Sequence, residues 1–187
     1  MNAFKIAWNL HKWVGIGLAV ILALLSATGF LLLVKKDYAY LQPPTMRGEP
    51  GETQDFLPIH EVLDRAYAIG HPAFQSIDDI DRIDMRPGKR VHKIRSNHDY
   101  LEVQVDAITG AILSGPTPRR SDFVERLHDG SWFGDWAHGW LMPATAICML
   151  GLVVTGLWIW ITPIVKRRKR RRAKAARDAA AAQNASD

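Results

Sequence analysis

The sequence contains very little cysteine, and two long stretches of it contain no charged residue at all. Its single cysteine, Cys148, excludes an intrachain disulfide, an iron–sulfur cluster held by this chain's cysteines and haem attached covalently through a CxxCH motif. Asp, Glu, Lys, Arg and His are all missing from Trp13 to Val34 and from Trp140 to Val165. As helices these runs of 22 and 26 residues reach about 33 and 39 Å, enough to cross a hydrocarbon core about 30 Å thick.

Sequence motifs of several enzyme classes are also missing. The segment between the two apolar runs has no nucleophile elbow, no phosphate-binding glycine loop and no His/Cys spacing of the zinc type. The whole chain also lacks a flavin or nicotinamide fingerprint. Neither apolar run is broken by polar residues, so the sequence offers no polar path of the kind that transporters use. We therefore expect a two-pass membrane protein without an active-site motif of these kinds.

Basic residues are concentrated behind the second run and predict the orientation. Nine Lys or Arg residues lie within Lys166–Arg177, and such a block is retained on the cytoplasmic side. Two crossings then place the N-terminus on the same side. The segment 35–137 has 13 basic and 17 acidic residues, a net charge of −4, and is expected outside the cytoplasm. The overall charge of +5 therefore reflects a tail that touches anionic lipid, and we expect no nucleic-acid partner.

The first apolar run could instead be the core of a cleavable secretory signal. Such cores are usually about 7–15 residues long and are followed by a small-x-small cleavage site. This run has 22 residues and is followed by KKDYAYL, which contains no convincing site. We therefore expect an uncleaved anchor, with both termini in the cytoplasm.

The segment between the runs predicts one helix packed on a small antiparallel sheet. Residues 38–55 are rich in Pro, Gly and polar residues, which is typical of a linker. The stretch PIHEVLDRAYAIGHP, which begins at Pro58, has apolar residues at helical spacing and ends in helix-stopping Gly and Pro. Extended stretches follow, separated by turn residues, at 80–85, 91–95, 100–106 and 111–113. The stretch 100–106 alternates polar with apolar residues, so its two sides differ in polarity.

The end of this segment resembles a PepSY domain. The pattern V-x-V-D-x-x-T-G-x-[IL] is matched by Val103, Val105, Asp106, Thr109, Gly110 and Ile112. Within this motif Asp106 can accept hydrogen bonds from backbone N–H groups of the turn, and Gly110 can take a positive φ. These residues are therefore expected to determine the fold rather than to catalyse a reaction. Four histidines of the segment are scattered and are expected at the surface or partly exposed: His60, His71, His92 and His98.

The two flanks extend the resemblance to the PepSY-associated transmembrane family. They read WNLHKWVGIGLAVILALLSATGFLL at the start and RLHDGSWFG…LVVTGLWIW near the end. The better understood relatives are inner-membrane reductases of ferric siderophores that hold two b-type haems through membrane histidines. The resemblance implies His11 and His128 as haem ligands and the bacterial inner (plasma) membrane as the location. Those relatives contain duplicated units with four membrane helices, whereas this chain has one unit with two.

The residues themselves also favour histidine ligands. Ionisable groups at membrane depth are costly and often functional, and neutral imidazole is a common axial ligand of haem iron. His11 precedes small residues spaced by four, which let a helix or a flat ring approach closely: Gly15, Ala19, Ala23 and Ala27. His138 lies nearer the second apolar run than His128 does, and it remains an alternative ligand. Asp129 and Asp135 could orient an imidazole N–H, or be solvated interface charges.

The positions of these histidines predict a dimer. His11 is expected at one membrane face and His128 and His138 at the other, so they cannot share one iron. If two histidines hold each haem, every ligand finds its mate in another subunit. A C2 homodimer supplies that mate, and an oligomer with a different second subunit is the alternative. We expect two haems b per dimer and electrons from a quinone or a reductase, delivered to a ferric siderophore outside the cytoplasm. The alternative is a non-enzymatic, membrane-tethered PepSY module that binds a peptide or protein.

The expected organisation has six segments and an α+β fold. The segments are an N-terminal end and helix at 1–36, a linker at 37–55, a PepSY-like domain at 56–115, an interfacial approach at 116–139, a second helix at 140–165 and a basic tail at 166–187. Two transmembrane helices thus flank a small extracytoplasmic domain made of one helix and an antiparallel sheet.

Overall fold

The computed structural model describes residues 3–184, with side chains placed up to residue 178. Within this range four α-helices and four strands follow one another. They are α1 (Ala3–Val34), α2 (Ile59–Tyr67), β1 (Ile80–Arg86), β2 (Val91–Ser96), β3 (Leu101–Asp106), β4 (Ile112–Pro118), α3 (Arg120–His128) and α4 (Met142–Asn184). The π-helix Ala137–Leu141 leads directly into α4. The chain forms two units: a sheet unit, Leu25–Phe133, and a helical unit made of Met1–Leu24 and Gly134–Asp187.

The two long helices confirm the prediction of two potential membrane spans. Ala3–Val34 and Ala137–Asp178 are both long and apolar enough to cross a membrane. Many large apolar side chains of both helices are exposed in the single chain, as expected of surfaces that face lipid or another subunit. The protein is therefore a membrane protein. α4 continues beyond its apolar run, so the basic tail is helical through Asn184.

Within the helical unit, α4 runs antiparallel to the first part of α1. Lys166 Nζ lies 5.8 Å from the centre of the Phe4 ring, so the start of α1 lies beside the end of the apolar run of α4. Farther along α1, a Cβ placed on Gly15 would be 3.8 Å from Leu152 Cδ2. Gly15 belongs to the series of small residues that predicted a close helix contact, and the structure has ordinary van der Waals contact there.

The sheet unit contains the predicted antiparallel sheet, in the order β1-β2-β3-β4. Ile94 of β2 lies opposite Val103 of β3, and both point toward α2. The core on this face consists of buried apolar residues from α2, the loop after it and the two central strands: Val62, Ala66, Ala73, Phe74, Ile94, Val103 and Val105. β4 runs to Pro118, past the predicted end at residue 113, because an edge strand tolerates the prolines of this stretch. The expected α+β fold is confirmed.

The opposite face of the sheet is polar yet buried. Lys93 Nζ donates to Glu102 Oε1 at 2.9 Å, and Arg119 Nη1 donates to Glu102 Oε2 at 3.1 Å. The segment 42–49, predicted as part of a linker, lies across this face and hydrogen-bonds Gln104 through two backbone groups. Burial lowers the pKa of the Lys93 ammonium, and the bond to Glu102 opposes that shift. Removing one partner of such a buried pair typically costs about 3–5 kcal/mol, because the other charge is left uncompensated.

The turn after β3 confirms the roles predicted for Asp106 and Gly110. Asp106 Oδ1 accepts from the backbone N–H groups of Ile108 at 2.8 Å and Thr109 at 3.1 Å. Gly110 has a φ of +71°, which favours glycine. Burial by itself raises the pKa of Asp106, but these bonds and one from the Glu49 N–H outweigh burial and lower the pKa below its ordinary value. The carboxylate therefore ties the turn to the segment that covers the sheet.

The expectation that His92 is at the surface was wrong. His92 is 1 % exposed, lies opposite Val105 in the sheet and packs edge-on against the Phe56 ring at 5.8 Å. It occupies the same face as Ile94 because side chains two positions apart in a strand share a face. Burial lowers the pKa of its imidazole. His60 and His98 are exposed and His71 is half-buried, as expected.

Candidate functional site

His11 lies on α1 within the helical unit and contacts α4. Its Nδ1 is 2.9 Å from Thr155 Oγ1. The residue after this threonine, Gly156, lies against the imidazole, where an added Cβ would be 3.1 Å from His11 Cε1. A larger residue at position 156 would push the ring away from α4, so the glycine permits the contact. We call His11, Thr155 and Gly156 the His11 site.

The surroundings of Thr155 favour one tautomer of His11. The Thr155 hydroxyl lies one turn after Gly151 and has two backbone acceptors, Gly151 O at 2.7 Å and Leu152 O at 3.2 Å. With its one proton on a backbone carbonyl, Thr155 Oγ1 accepts the bond from His11 Nδ1–H. In this tautomer of the neutral imidazole the lone pair lies on Nε2, a nitrogen that can bind a metal.

His128 ends α3 within the sheet unit and contacts the same kind of residue pair. Its Nδ1 is 2.9 Å from Thr28 Oγ1, and a Cβ added to Gly29 would be 3.3 Å from His128 Cε1. Thr28 is buried, and its hydroxyl donates to Leu25 O at 3.3 Å. With its proton on a backbone carbonyl, Thr28 Oγ1 accepts from Nδ1–H, and in that tautomer the lone pair of His128 lies on Nε2. We call His128, Thr28 and Gly29 the His128 site.

An ion pair holds α3 beside the end of α1. Lys35 follows the last residue of α1, and its Nζ pairs with Glu125 Oε1, one helical turn before His128. Thr28 lies six residues before the end of the apolar run at Val34, which corresponds to about 9 Å along the helix. The segment predicted as an interfacial approach therefore brings His128 beside the apolar part of α1, where an ionisable side chain is costly.

The two sites have the same construction although they belong to different units. Each joins one histidine to the Thr-Gly pair of an apolar run, Thr28-Gly29 or Thr155-Gly156. The sequence interpretation named both histidines and missed both threonines. A signal was present, because each apolar run contains one Thr-Gly pair. The sequence could not reveal which histidine meets which pair, since 144 and 100 positions separate the partners.

An apolar groove opens beside His11. It has a volume of about 190 Å³, and its lining consists of Leu10, His11, Val14, Cys148, Gly151, Leu152 and Thr155. Cys148 and Gly151 are small, which allows a flat ring to approach the helix surface. Pockets that enclose a ligand of drug size measure about 300–1,000 Å³, so this groove covers only part of a macrocycle. The His11 imidazole and the apolar lining fit part of one face of a haem.

The other predicted candidates lie in different surroundings. His138 is exposed in the π-helix Ala137–Leu141, a type of helix that often marks functional positions. Asp129 Oδ1 accepts from the Ser131 N–H at 2.8 Å, and Asp135 is exposed. Across residues 3–184 no group of three or more His, Cys, Asp or Glu side chains is arranged to hold a metal ion.

Comparison with known families identifies the chain. The family model described as the PepSY-associated TM region matches residues 8–181. The chain belongs to this family. The matched range contains every residue of the His11 site and of the His128 site. No curated protein and no solved structure matches the chain.

In this PepSY-associated TM protein the apolar helices and the sheet contribute different chemistry. The sheet unit carries buried ion pairs that hold its fold, and its turn residues act as expected from the PepSY resemblance. The two imidazoles that contact a Thr-Gly pair lie at the apolar runs.

Proposed function

We propose that this PepSY-associated TM protein binds haem b and carries electrons through the membrane to ferric iron, held by a siderophore, on the extracytoplasmic side. The observation that carries the proposal is the hydrogen bonding of His11 and His128. Both rings are held at Nδ1 by a threonine hydroxyl, and both present Nε2. An outer hydrogen bond of this kind orients a metal-binding imidazole and raises the basicity of the nitrogen that binds.

His11 and His128 would each supply one ligand to a haem iron, with His138 as the alternative to His128. Bound haem supplies one-electron transfer to the ferric chelate, and hard oxygen donors hold the reduced iron less tightly. Thr155 and Thr28 keep a proton at Nδ1, so that Nε2 remains an acceptor. Gly156 and Gly29 let each ring lie close to its helix, which restricts the directions that Nε2 can take.

A C2 homodimer would complete both sites. One chain provides one imidazole to each site, and the groove beside His11 covers only part of a macrocycle. Large apolar side chains are exposed along α1 and α4, which offers surface for a second copy. The chain carries no flavin or nicotinamide motif, so a quinone or a separate reductase would donate the electrons.

We propose the bacterial inner membrane as the location, with both termini in the cytoplasm and residues 35–137 in the periplasm. The nine basic residues of Lys166–Arg177 support this orientation and would contact anionic lipid. The contact between Phe4 and Lys166 also supports it, because it brings the start of α1 beside the start of the basic tail.

An absorption spectrum of the detergent-purified protein tests the proposal. We expect a dithionite-reduced α band of b type and a haem content of one per chain by pyridine haemochrome assay. A double variant, His11→Ala with His128→Ala, is the control and should lack the band while keeping its circular dichroism. A wild-type protein that stays free of haem after expression with added haem precursor would refute the proposal.

A membrane-tethered PepSY module that binds a peptide or protein is the second candidate. The observation in its favour is that the sheet unit has its own apolar core and a closed network of buried ion pairs. Such a unit can act as a binding domain whether or not the membrane histidines hold a cofactor. The same spectrum separates the two functions, because only the first requires haem.

A further inference from the structure

A cleft in the sheet unit combines positive charge with an apolar floor. It has a volume of about 620 Å³ and is formed where residues 42–45 pass the end of β1 and the turn after it. Three cationic side chains line it, Lys36, Arg86 and Lys89. None of the described residues that line it is Asp or Glu. The volume lies within the range of about 300–1,000 Å³ that is usual for small-molecule sites.

The charge of the cleft is opposite to that of the segment around it. Residues 35–137 carry 13 basic and 17 acidic residues, a net charge of −4. Asp84 lies near the cleft, but its carboxylate is 2.5 Å from Arg95 Nη2 and 3.9 Å from Arg86 Nη2. The buried Arg95 is therefore the main ion-pair partner of Asp84. The guanidinium of Arg86 remains available to pair with an anionic ligand. A local concentration of one sign of charge in a cleft raises the local concentration of ligands of the other sign.

The backbone of the cleft is held in place by the same contacts that cover the sheet. Lys89 Nζ donates to Thr45 O at 3.0 Å, which joins the turn after β1 to the covering segment. Gly48 N donates to Lys89 O at 2.9 Å and makes a second link between them. Prolines at 43, 44 and 87 stiffen the walls, and Met85 is 54 % exposed beside them. These links fix the backbone of the cleft, and Met85 adds an adaptable thioether to its lining.

We infer that this cleft binds a multiply charged organic anion with an apolar body. Lys36, Arg86 and Lys89 would pair with its anionic oxygens, and the prolines and Met85 would contact its carbon skeleton. This inference rests on the proposed function, in which the anion is the ferric chelate itself. The protein would then select chelates whose donor groups give the whole iron complex a net negative charge. Lys36 follows α1 by two residues, so an anionic lipid headgroup is the other source of the same chemistry.

The test measures binding without any redox step. The probe is a gallium(III) tris-catecholate complex, a trianion that has the charge of the ferric complex and is not reduced. Full-length protein in nanodiscs of phosphatidylcholine is dialysed to equilibrium with the probe and with a neutral gallium(III) tris-hydroxamate. We expect the trianion to bind more tightly than the neutral complex by about tenfold or more, and salt to weaken its binding.

A charge-matched pair of variants assigns the binding to the cleft. The triple variant Lys36→Gln, Arg86→Gln, Lys89→Gln should lose trianion affinity by about tenfold or more. The control Arg65→Gln, Arg82→Gln, Arg126→Gln removes three exposed charges of the same unit outside the cleft, and it should bind nearly as well as the wild type. If the triple variant folds poorly, the single variant Lys36→Gln replaces it, because Lys36 is exposed and lies outside the sheet. Its affinity for the trianion should also decrease. Circular dichroism checks folding throughout.

Three results would overturn the inference. Equal affinity in the triple variant and its control would show that general charge, and not the cleft, attracts the probe. Equal binding of the neutral and trianionic complexes would remove the selectivity for charge. If phosphatidylglycerol in the nanodisc displaces the probe from the wild type, the cleft is a lipid headgroup site and the chelate assignment fails. The haem absorption spectrum of each sample is recorded in parallel. A missing b-type band would show a failure of the proposed function independently of the result for probe binding.

Discussion

His11 Nδ1 and Thr155 Oγ1 lie 2.9 Å apart, and the same hydroxyl lies 2.7 Å from Gly151 O. With the threonine proton on the carbonyl, the two hydrogen bonds run from imidazole to hydroxyl to backbone carbonyl. In that arrangement Nε2 of His11 is the acceptor nitrogen. Thr28 lies in the same way between His128 Nδ1 and Leu25 O. The threonines are therefore positioning residues, and their loss has consequences distinct from those of losing the histidines.

Replacing Thr155 tests whether its hydroxyl orients the His11 ring or whether its side chain only fills space between the helices. Thr155→Val keeps the shape of the side chain and removes the acceptor, and we expect haem at the His11 site to bind about 10–100-fold more weakly. Thr155→Ser keeps the hydroxyl and should retain most of the affinity. Haem transfer to apomyoglobin and the midpoint potential measure the effect. If Thr155 had only a structural role, the midpoint potential of the haem that remains in Thr155→Val would be unchanged. That result would contradict the positioning role.

The two histidines should each account for one haem per dimer. His11→Ala is expected to remove about half of the haem, and His128→Ala the other half, because each site takes one ligand from each copy. His138→Ala is the matched control and should keep both haems if His128 is the outer ligand. Pyridine haemochrome assay and size in detergent are recorded for each variant, since haem that bridges two subunits stabilises the dimer. Unchanged haem content in His11→Ala would refute the pairing.

The orientation in the membrane can be tested by reporter fusions. A reporter fused after residue 115 should be active in the periplasm, and one fused after residue 175 in the cytoplasm, because the basic block of Lys166–Arg177 stays inside. Neutralising that block with Gln is expected to weaken or mix the orientation. Activity of both fusions in the same compartment would contradict two crossings.

Gly110→Val should destabilise the sheet unit and spare the haem sites. Gly110 has a φ of +71°, and a Cβ added there would be 2.9 Å from Leu57 Cδ1. A β-branched residue at this position would therefore have both an unfavourable backbone conformation and a steric clash. We expect a loss of at least about 1 kcal/mol in the free energy of unfolding. Gly115→Val is the control, because nothing lies within 4 Å of its added Cβ. Loss of haem from Gly110→Val protein that is inserted and folded would show that the β-sheet contributes to a haem site in addition to His128, Thr28 and Gly29.

His92 should make the sheet unit sensitive to mild acid. Burial lowers the pKa of His92 below its ordinary value of 6.5, so the unfolded chain binds a proton before the folded one does. Stability is therefore complete above about pH 6.5 and falls as the pH decreases from there toward the lower pKa of the folded state. Both ring nitrogens lack a hydrogen-bond partner among the described residues. His92→Leu should flatten this dependence with little loss of stability at pH 8, measured by urea unfolding of the membrane-inserted protein, whereas the exposed His60→Leu should keep it.

Some features of the fold follow from local sequence alone. The absence of charge over Trp13–Val34 and Trp140–Val165 specifies two membrane helices, because length and hydropathy decide whether a segment can lie in lipid. The turn at Asp106 and Gly110 could also be predicted, since its hydrogen bonds and its positive φ involve neighbours in sequence. The alternation of strand β3 predicted two faces of different polarity.

Other features depended on which distant segments meet. The alternation did not reveal that Glu102 and Gln104 are fully buried, because the cover comes from residues 42–49 and from Arg119. His92 resembles its exposed counterparts in sequence, and its burial follows from the packing of Phe56 and α2 on one side of the sheet.

The histidine sites divide in the same way. The place of His11 beside an apolar run and the family resemblance at His128 predicted these two histidines as ligand candidates. Only the tertiary structure set Nδ1 of each against the hydroxyl of a Thr-Gly pair. The physical reason is range: hydropathy and turn geometry act between neighbours in sequence, whereas a hydrogen bond between residues 144 positions apart exists only once two helices have packed.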